Sequence, residues 1–354
     1  MMLKPAYKLT FGSASDGGVL GAVSNLSPVP IGGSGKVIDT TAEPQASIIT
    51  DLMVSVDMDT PADGFTFTMG QVGTFRPETG GIVIIELGYD GDDELTQVMT
   101  GTIRAIESGL TTIRVVGHAA AEQMLYGCID ETFENKTSGE IVTRLADEGG
   151  VPVAEAEDGI TFPAYVVDGQ RSLYRHALDL AGLCGFDLYL NSDGELVFKQ
   201  YAGGANQHVL AYGQHIIELN VWRTSPRFGT VEMWGESPGG SQSEEDWAWL
   251  TKDFSALKGV AGENPPTRLI EKSVLRSRSA AHTASQALHT RMGREAIRGE
   301  VRLYGAPQIK LGDAIHIQDV PEAALNKVYQ VRSVTHRISK LRGFTTTVGF
   351  RSQE

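Results

Sequence analysis

"GGIVIIELGYDGDDELTQVMTGTIRAIESGLTTIRVVGH", residues 80–118, reads as strand, acidic turn, strand, turn, strand. Apolar and polar residues alternate, β-branched residues dominate, and the breaks fall on Gly, Asp and Ser clusters. That is the signature of half-buried strands joined by hairpins. Two more strands precede it. In "IITDLMVSVDMD" Leu52, Val54, Val56 and Met58 share one face, with Asp51, Ser55, Asp57 and Asp59 on the other or at its edges. "PADG" (61–64) is a turn, and "FTFTMG" (65–70) alternates again. A five-strand meander with one apolar face must close on itself or cover that face.

The same rhythm returns near the C-terminus in "LGDAIHIQDVPEAALNKVYQVRSVTHRISKLRGFTTTVGFR", residues 311–351. Stretches 49–57, 65–70, 80–87, 100–108 and 111–118 resemble 216–224, 301–305, 311–317, 329–337 and 344–351, in that order. Identity is slight, so pattern and order carry the match. The fold class expected is mainly β with α+β insertions: two similar antiparallel β-barrels, tube-like and duplicated, each decorated by an inserted subdomain. The expected division is an N-terminal arm (1–45), a first barrel (46–132), an α+β insertion (133–205), a second barrel (206–236 and 296–354) and its insertion (237–295).

The arm is rich in Gly, Ser and Pro, which fits an extended segment that wraps a neighbour or moves freely. Regular structure is expected from about Ile49. Within 133–205 the period becomes helical. "TSGEIVTRLADEGG" has Thr137 and Glu140 in capping-box spacing. "RSLYRHALDLAGLCGF" lines up Leu173, Ala177, Leu180, Ala181 and Cys184 as one stripe, with Gly185 at the C-cap. "FDLYLNSDGELVFK" is a hairpin, and "RSAAHTASQALHTRMGREA" a helix in the second insertion.

Lys and Arg number 30 against 44 Asp and Glu, a net charge of −14. Such a chain repels phosphates, so direct duplex nucleic-acid binding is not expected. Cys128 and Cys184 stand alone, which suggests neither a zinc site nor a disulfide framework. No secretion signal and no apolar run of membrane-span length is present, so synthesis in a cytosol without a membrane anchor is expected.

Motifs for chemistry are weak. "IGGSGKV" (31–37) has Pro30 and Val37 where a phosphate loop needs Gly and Ser or Thr. "DGDDE" (90–94) lacks calcium-loop spacing and reads as a solvated turn. His118 with Glu122, and His282 with His289, do not form the metalloprotease pattern, and no nucleophile elbow occurs. No catalytic, cofactor or metal residue is assigned. The site residues singled out are Trp247, Trp249 and Phe254 in "EEDWAWLTKDF". Aromatics of this kind either anchor a partner or fold onto their own domain.

Three blocks carry a family resemblance: "FTFTMG…FRPETGGIVIIELGY", "TGTIRAIESG…IRVVGHAAAEQML", and "FENKTSGEIVTRLADEGGV…PAYVVDGQRSLYRHALDLAGLCGFDLYLNSDGELVFK". The last keeps the order helix, linker, amphipathic helix, then G-F, D-G-x-L. The chain resembles the baseplate hub proteins of contractile phage tails and phage-derived contractile injection systems. These are the late control gene D family, together with the hub part of type VI secretion VgrG spike proteins. The resemblance spans 46–235 and 296–354.

It implies a structural virion component, not an enzyme. The implied assembly is a homotrimer that adapts the six-fold tail tube to a three-fold spike and templates the tube. Its implied partners are the hexameric tube protein, a separate trimeric spike protein and other baseplate proteins. It also implies synthesis in a bacterial cytoplasm and residence in a tail or tail-like particle. The alternative is a tail-associated cell-wall hydrolase or glycan-binding component.

Overall fold

The alternation of 80–118 becomes three paired strands in the computed structural model, which describes residues 4–12, 36–42, 48–60, 63–70, 76–235 and 258–353. In chain order, β1 (Pro5–Gly12) and β2 (Val37–Asp39) come first. The first meander follows: β3 (Ile49–Asp57), β4 (Gly64–Gly70), β5 (Ile82–Tyr89), β6 (Thr96–Ser108) and β7 (Thr112–His118). Buried and part-exposed residues alternate along β4 and β5, as the sequence pattern demands.

Next comes the α+β insertion: α1 (Glu122–Tyr126), β8 (Glu131–Thr137), α2 (Ser138–Glu148), β9 (Val153–Ala156), β10 (Thr161–Val167), α3 (Leu173–Cys184), β11 (Phe186–Leu190) and β12 (Leu196–Gln200). The capping box at α2 is formed: Thr137 accepts from the Glu140 N–H, and the Glu140 carboxylate accepts from the Thr137 N–H. α3 stops at Gly185, whose φ of 73° is the left-handed value glycine tolerates.

The remaining elements are β13 (Gln207–Ala211), β14 (Ile216–Arg223), β15 (Thr230–Trp234), β16 (Gly259–Gly262), β17 (Thr267–Glu271), α4 (Arg278–Arg294), β18 (Ile297–Tyr304), β19 (Ala314–Gln318), β20 (Val328–Ser339) and β21 (Gly343–Ser352).

Both meanders belong to one large sheet, ordered β14-β18-β21-β20-β3-β4-β7-β6-β5-β1-β2, with β19 and β13 branching from β20. The first five-strand run pairs as β3-β4-β7-β6-β5 and the second as β14-β18-β21-β20-β19, which is the same order. Irregularities coincide as well. β3 skips Thr50 against β4 as β14 skips Ile217 against β18. β6 skips Arg104 against β7 as β20 skips Arg332 against β21. Gly80 and Gly312 both enter the third strand at φ near +80° (84° and 80°), and both donate N–H to the residue before the skipped arginine, Ile103 or Val331.

Three expectations need correction. Among the described residues no pairing closes either run into a barrel: β5 takes β1 on its outer edge, β19 takes β13, and β3 crosses to β20. Residues 5–12 of the expected arm form a strand instead, paired with β5 over its full length, so the sheet begins well before Ile49. β15, expected in the second barrel, pairs with β16 and β17 of the expected insertion in a separate three-stranded sheet.

Two apolar clusters lie under the sheet. One joins Leu9, Leu52, Val54, Phe67 and Ile85 to Ile141, Leu145 and Leu180 of the insertion helices. The other gathers Val301, Leu303, Ile315, Val331, Val334, Val348 and Phe350.

Candidate functional site

The sheet has one apolar face, and its other face is largely polar. Across β14, β18, β21, β20 and β3 the second face carries Glu218 and Asn220, Glu300 and Arg302, Thr345 and Thr347, Thr335 and Arg337, then Met53, around an open trough of about 400 Å³. Acid and base alternate there. Arg337 donates twice to Asp51, at 3.0 Å each, and Ser55 and Thr335 hydroxyls touch at 3.0 Å across the junction of β3 and β20. These contacts tie the two halves together on the solvent side of the sheet.

Beyond the trough a larger cleft, about 1230 Å³, lies between α3, α4 and β11 on one side and the sheet on the other. Arg291, Arg294, Arg298, Arg332 and Arg351 line it with Asp57, Asp59, Asp187 and Glu295. At its floor sits an ion network, buried except at Asp59. Asp187, from β11, accepts from Arg332, from Arg351 at 3.1 Å and from Gln330. Gln330 in turn accepts from Arg351 Nε at 2.8 Å, and Arg332 also grips Asp59. Two guanidiniums meet two carboxylates, so the charge balances. Burial and the neighbouring Arg332 bring the Arg351 guanidinium down to about 10, still charged at neutral pH. For Arg332, burial acts to lower the pKa, but Asp187 and Asp59 outweigh it and the net shift is upward.

This arrangement binds parts of the fold to one another. Asp59 and Asp187 are each committed to arginine, so neither is free to act as a general base. Among the described residues no three His, Cys, Asp or Glu side chains gather as a metal site. Among them, too, no helix is long and apolar enough to cross a membrane. Cys128 is exposed, Cys184 is buried, and no disulfide links them. Glu122 pairs with Arg104 on the first sheet half, and the 90–94 turn is exposed, with Asp92 accepting from the Tyr89 N–H at 2.7 Å. Trp247, Trp249 and Phe254 lie outside the described residues.

Sequence reading missed the ion network and the exposed edge of β14, where Trp222 is 50% exposed. One signal for the network was available. Arg104 and Arg332 occupy matching places in "IRAI" and "VRSV", and each meets an acid outside its own meander.

No family model matches this chain, and no curated protein does. Solved structures do. The 43 kDa tail protein of prophage MuSo2 from Shewanella oneidensis is similar at TM-score 0.68 and 14% identity, covering 98% of each chain. A tail protein from Neisseria meningitidis gives 0.67 and 16%, covering 98% of this chain and 97% of that one. A type VI secretion component from E. coli, described as structurally similar to the T4 bacteriophage tail proteins gp27 and gp5, gives 0.57 and 12%, covering 86% of this chain and 74% of that one. The chain has the tail-protein fold. At these identities the likeness is one of fold, and it runs over nearly the whole length of the two prophage and tail proteins.

Proposed function

We propose that this chain is a structural component of a contractile tail or injection particle, the trimeric hub between a six-fold tube and a three-fold spike. The observation that carries the proposal is the repeated strand order, with its skipped residues at matching places, inside the tail-protein fold. Two like units per chain make three chains present six like units. A ring of that kind matches six-fold symmetry on one side and three-fold symmetry on the other. The two five-strand runs are then the tube-like units expected from sequence, left open in the single chain and completed by assembly.

The mechanism is mechanical. The alternating polar face offers a wall that needs no ligand, and the buried network fixes the inserted subdomain against the second unit. The first tube ring would polymerise on the six-unit surface. No reaction is assigned, and the paired state of Asp59 and Asp187 lends the hydrolase alternative no support.

The test is the solution mass of the purified chain by light scattering over a dilution series, alone and with its spike protein. A mass of three chains that survives dilution is expected. A single chain in both conditions would overturn the hub reading. Peptidoglycan zymography separates the alternative, since a clearing zone would favour the hydrolase.

A further inference from the structure

We propose that the wide cleft between α3, α4 and the sheet is a docking site for an extended acidic segment of a partner protein, anchored on Arg298 and Arg294. The site belongs to the single chain and stands whether or not the hub reading does.

Four residues lie directly opposite one another across one end of the sheet: Trp222 on β14, Arg298 on β18, Arg351 on β21 and Gln330 on β20. Opposite residues share a face, and the first three line the cleft. The inner end of this row is satisfied, since Arg351 and Gln330 both donate to Asp187. The outer end is not. Arg298 is exposed and Trp222 half-exposed, and among the described residues neither side chain has a hydrogen bond, ion pair or ring contact.

The carboxylates of the cleft are already engaged. Asp59 and Asp187 hold Arg332, and Asp187 also holds Arg351. Glu295 pairs with Arg291 at 2.9 Å, and Asp57 accepts from the Asp59 N–H at 2.7 Å. Arg294 donates Nε to the Gln353 carbonyl at 3.0 Å and lies over the Tyr201 ring, but it meets no carboxylate. A chain of net charge −14 thus turns two arginines without acidic partners toward one cavity. Low-dielectric walls focus that charge and draw its opposite.

Size and lining select the class of ligand. At about 1230 Å³ the cleft exceeds the roughly 300–1,000 Å³ of small-molecule sites, which suits an extended peptide. Arginine beside an exposed tryptophan is the composition of a protein-docking centre. Arginine clusters read acidic motifs through paired hydrogen bonds to carboxylates. Thr283, Gln286 and Thr290, along the lining face of α4, offer polar groups to the peptide backbone. A nucleic acid, charged at every phosphate, would meet the repulsion of the whole acidic chain; a segment with few carboxylates avoids most of it.

The experiment titrates the full chain into fluorescein-labelled hexaglutamate and reads anisotropy, with hexaglutamine as the neutral control. Saturable binding of hexaglutamate alone is expected. Arg298→Gln should weaken it about ten-fold, the loss of a charge-assisted hydrogen bond. Arg298→Lys should keep most of it, and Arg294→Gln with Arg298→Gln should abolish it. Arg302→Gln, on the same strand and face but lining the smaller trough, should leave it unchanged. Arg298 has no partner to lose, so its variants should keep the parent urea midpoint. Unlabelled hexaglutamate should shift the tryptophan emission, and Trp222→Phe should remove that shift.

No saturable binding, or an equal loss in Arg302→Gln, overturns the site. Displacement by less inorganic pyrophosphate than unlabelled hexaglutamate assigns the cleft to phosphate and overturns the peptide. Binding that vanishes as the chain self-associates assigns the cleft to a second copy and overturns the proposal as well. A single-chain mass, alone and with the spike protein, beside hexaglutamate binding that Arg298→Gln weakens, keeps the docking site and overturns only the hub.

Discussion

Gly117 on β7 faces Phe65 on β4, and a Cβ added there would stand 2.2 Å from the ring. In the second meander the pair is inverted: Phe350 on β21 faces Gly299 on β18, where a Cβ would stand 2.4 Å from that ring. A ring laid over a cross-strand glycine fills the space its missing side chain leaves. Gly117→Ala should therefore cost about 1–3 kcal/mol through overpacking. Gly299→Ala should cost a similar amount, both read from urea midpoints. Either substitution proving neutral would show that the ring moves freely.

Two buried groups at this scale titrate in opposite senses. Burial pushes the Asp63 carboxyl up to about 7, so its contribution is present below about 4 and is lost as pH rises through 7. Burial drives the His336 imidazole down to about 3. The Thr346 hydroxyl accepts from the Ala306 N–H and lies 2.9 Å from His336 Nδ1. Unfolding lets that ring take a proton, so its contribution is present above 6.5 and is lost as pH falls toward 3. Between about 4 and 6.5 the two slopes cancel. Asp63→Asn keeps the acceptor for the Asp57 N–H and removes one slope. The variant should gain stability at pH 8. It should also lose stability on acidification by roughly 1.4 kcal/mol per pH unit below 6.5, where the parent stays flat. An unchanged pH profile would dismiss both assignments.

At the scale of elements, local signals were readable and distant ones were not. The α2 capping box and the glycine stop of α3 depend on residues a few positions apart, and both stand where the sequence places them. β1 was hidden because its eight residues adjoin a Gly- and Ser-rich run that dominates composition. β15 fell inside the span expected for the second barrel but joins another sheet, since a period of two shows that a strand exists and not which edge it joins. The ion network was least legible. Asp187 looks like one polar residue in a hairpin, and its partners Gln330, Arg332 and Arg351 come from strands some 140 to 165 residues away. Asp187→Ala leaves two buried guanidiniums short of their shared carboxylate. It should cost about 3–5 kcal/mol in urea unfolding. It should also free the inserted subdomain to unfold in a separate, earlier transition. A single unshifted transition would mean that the network contributes little.

At the scale of the molecule, the decisive contact is the junction of β3 and β20, and nothing local announces it. Ser55 and Thr335 touch across a separation of 280 residues. The sequence suggested two separate barrels because each meander is self-consistent, while the strands that join them, β3 and β20, each look like an ordinary member of their own meander. The junction turns two runs into one sheet, with a backbone ladder from Asp51–Ser339 to Asp57–Ser333 and the Asp51–Arg337 pair beside it. The two halves should then share one cooperative unfolding unit although their apolar clusters are distinct. In native-state hydrogen exchange, amides of β3 and β20 should fall together in the slowest class and respond to denaturant with a common slope. Amides on the outer edge of β14 should exchange faster than those of β3, because among the described residues β14 has a full strand on one side only. If instead β3 follows one class with β4 and β7 while β20 follows another with β21, the halves open independently. The junction would then be a contact between two domains and not the spine of one.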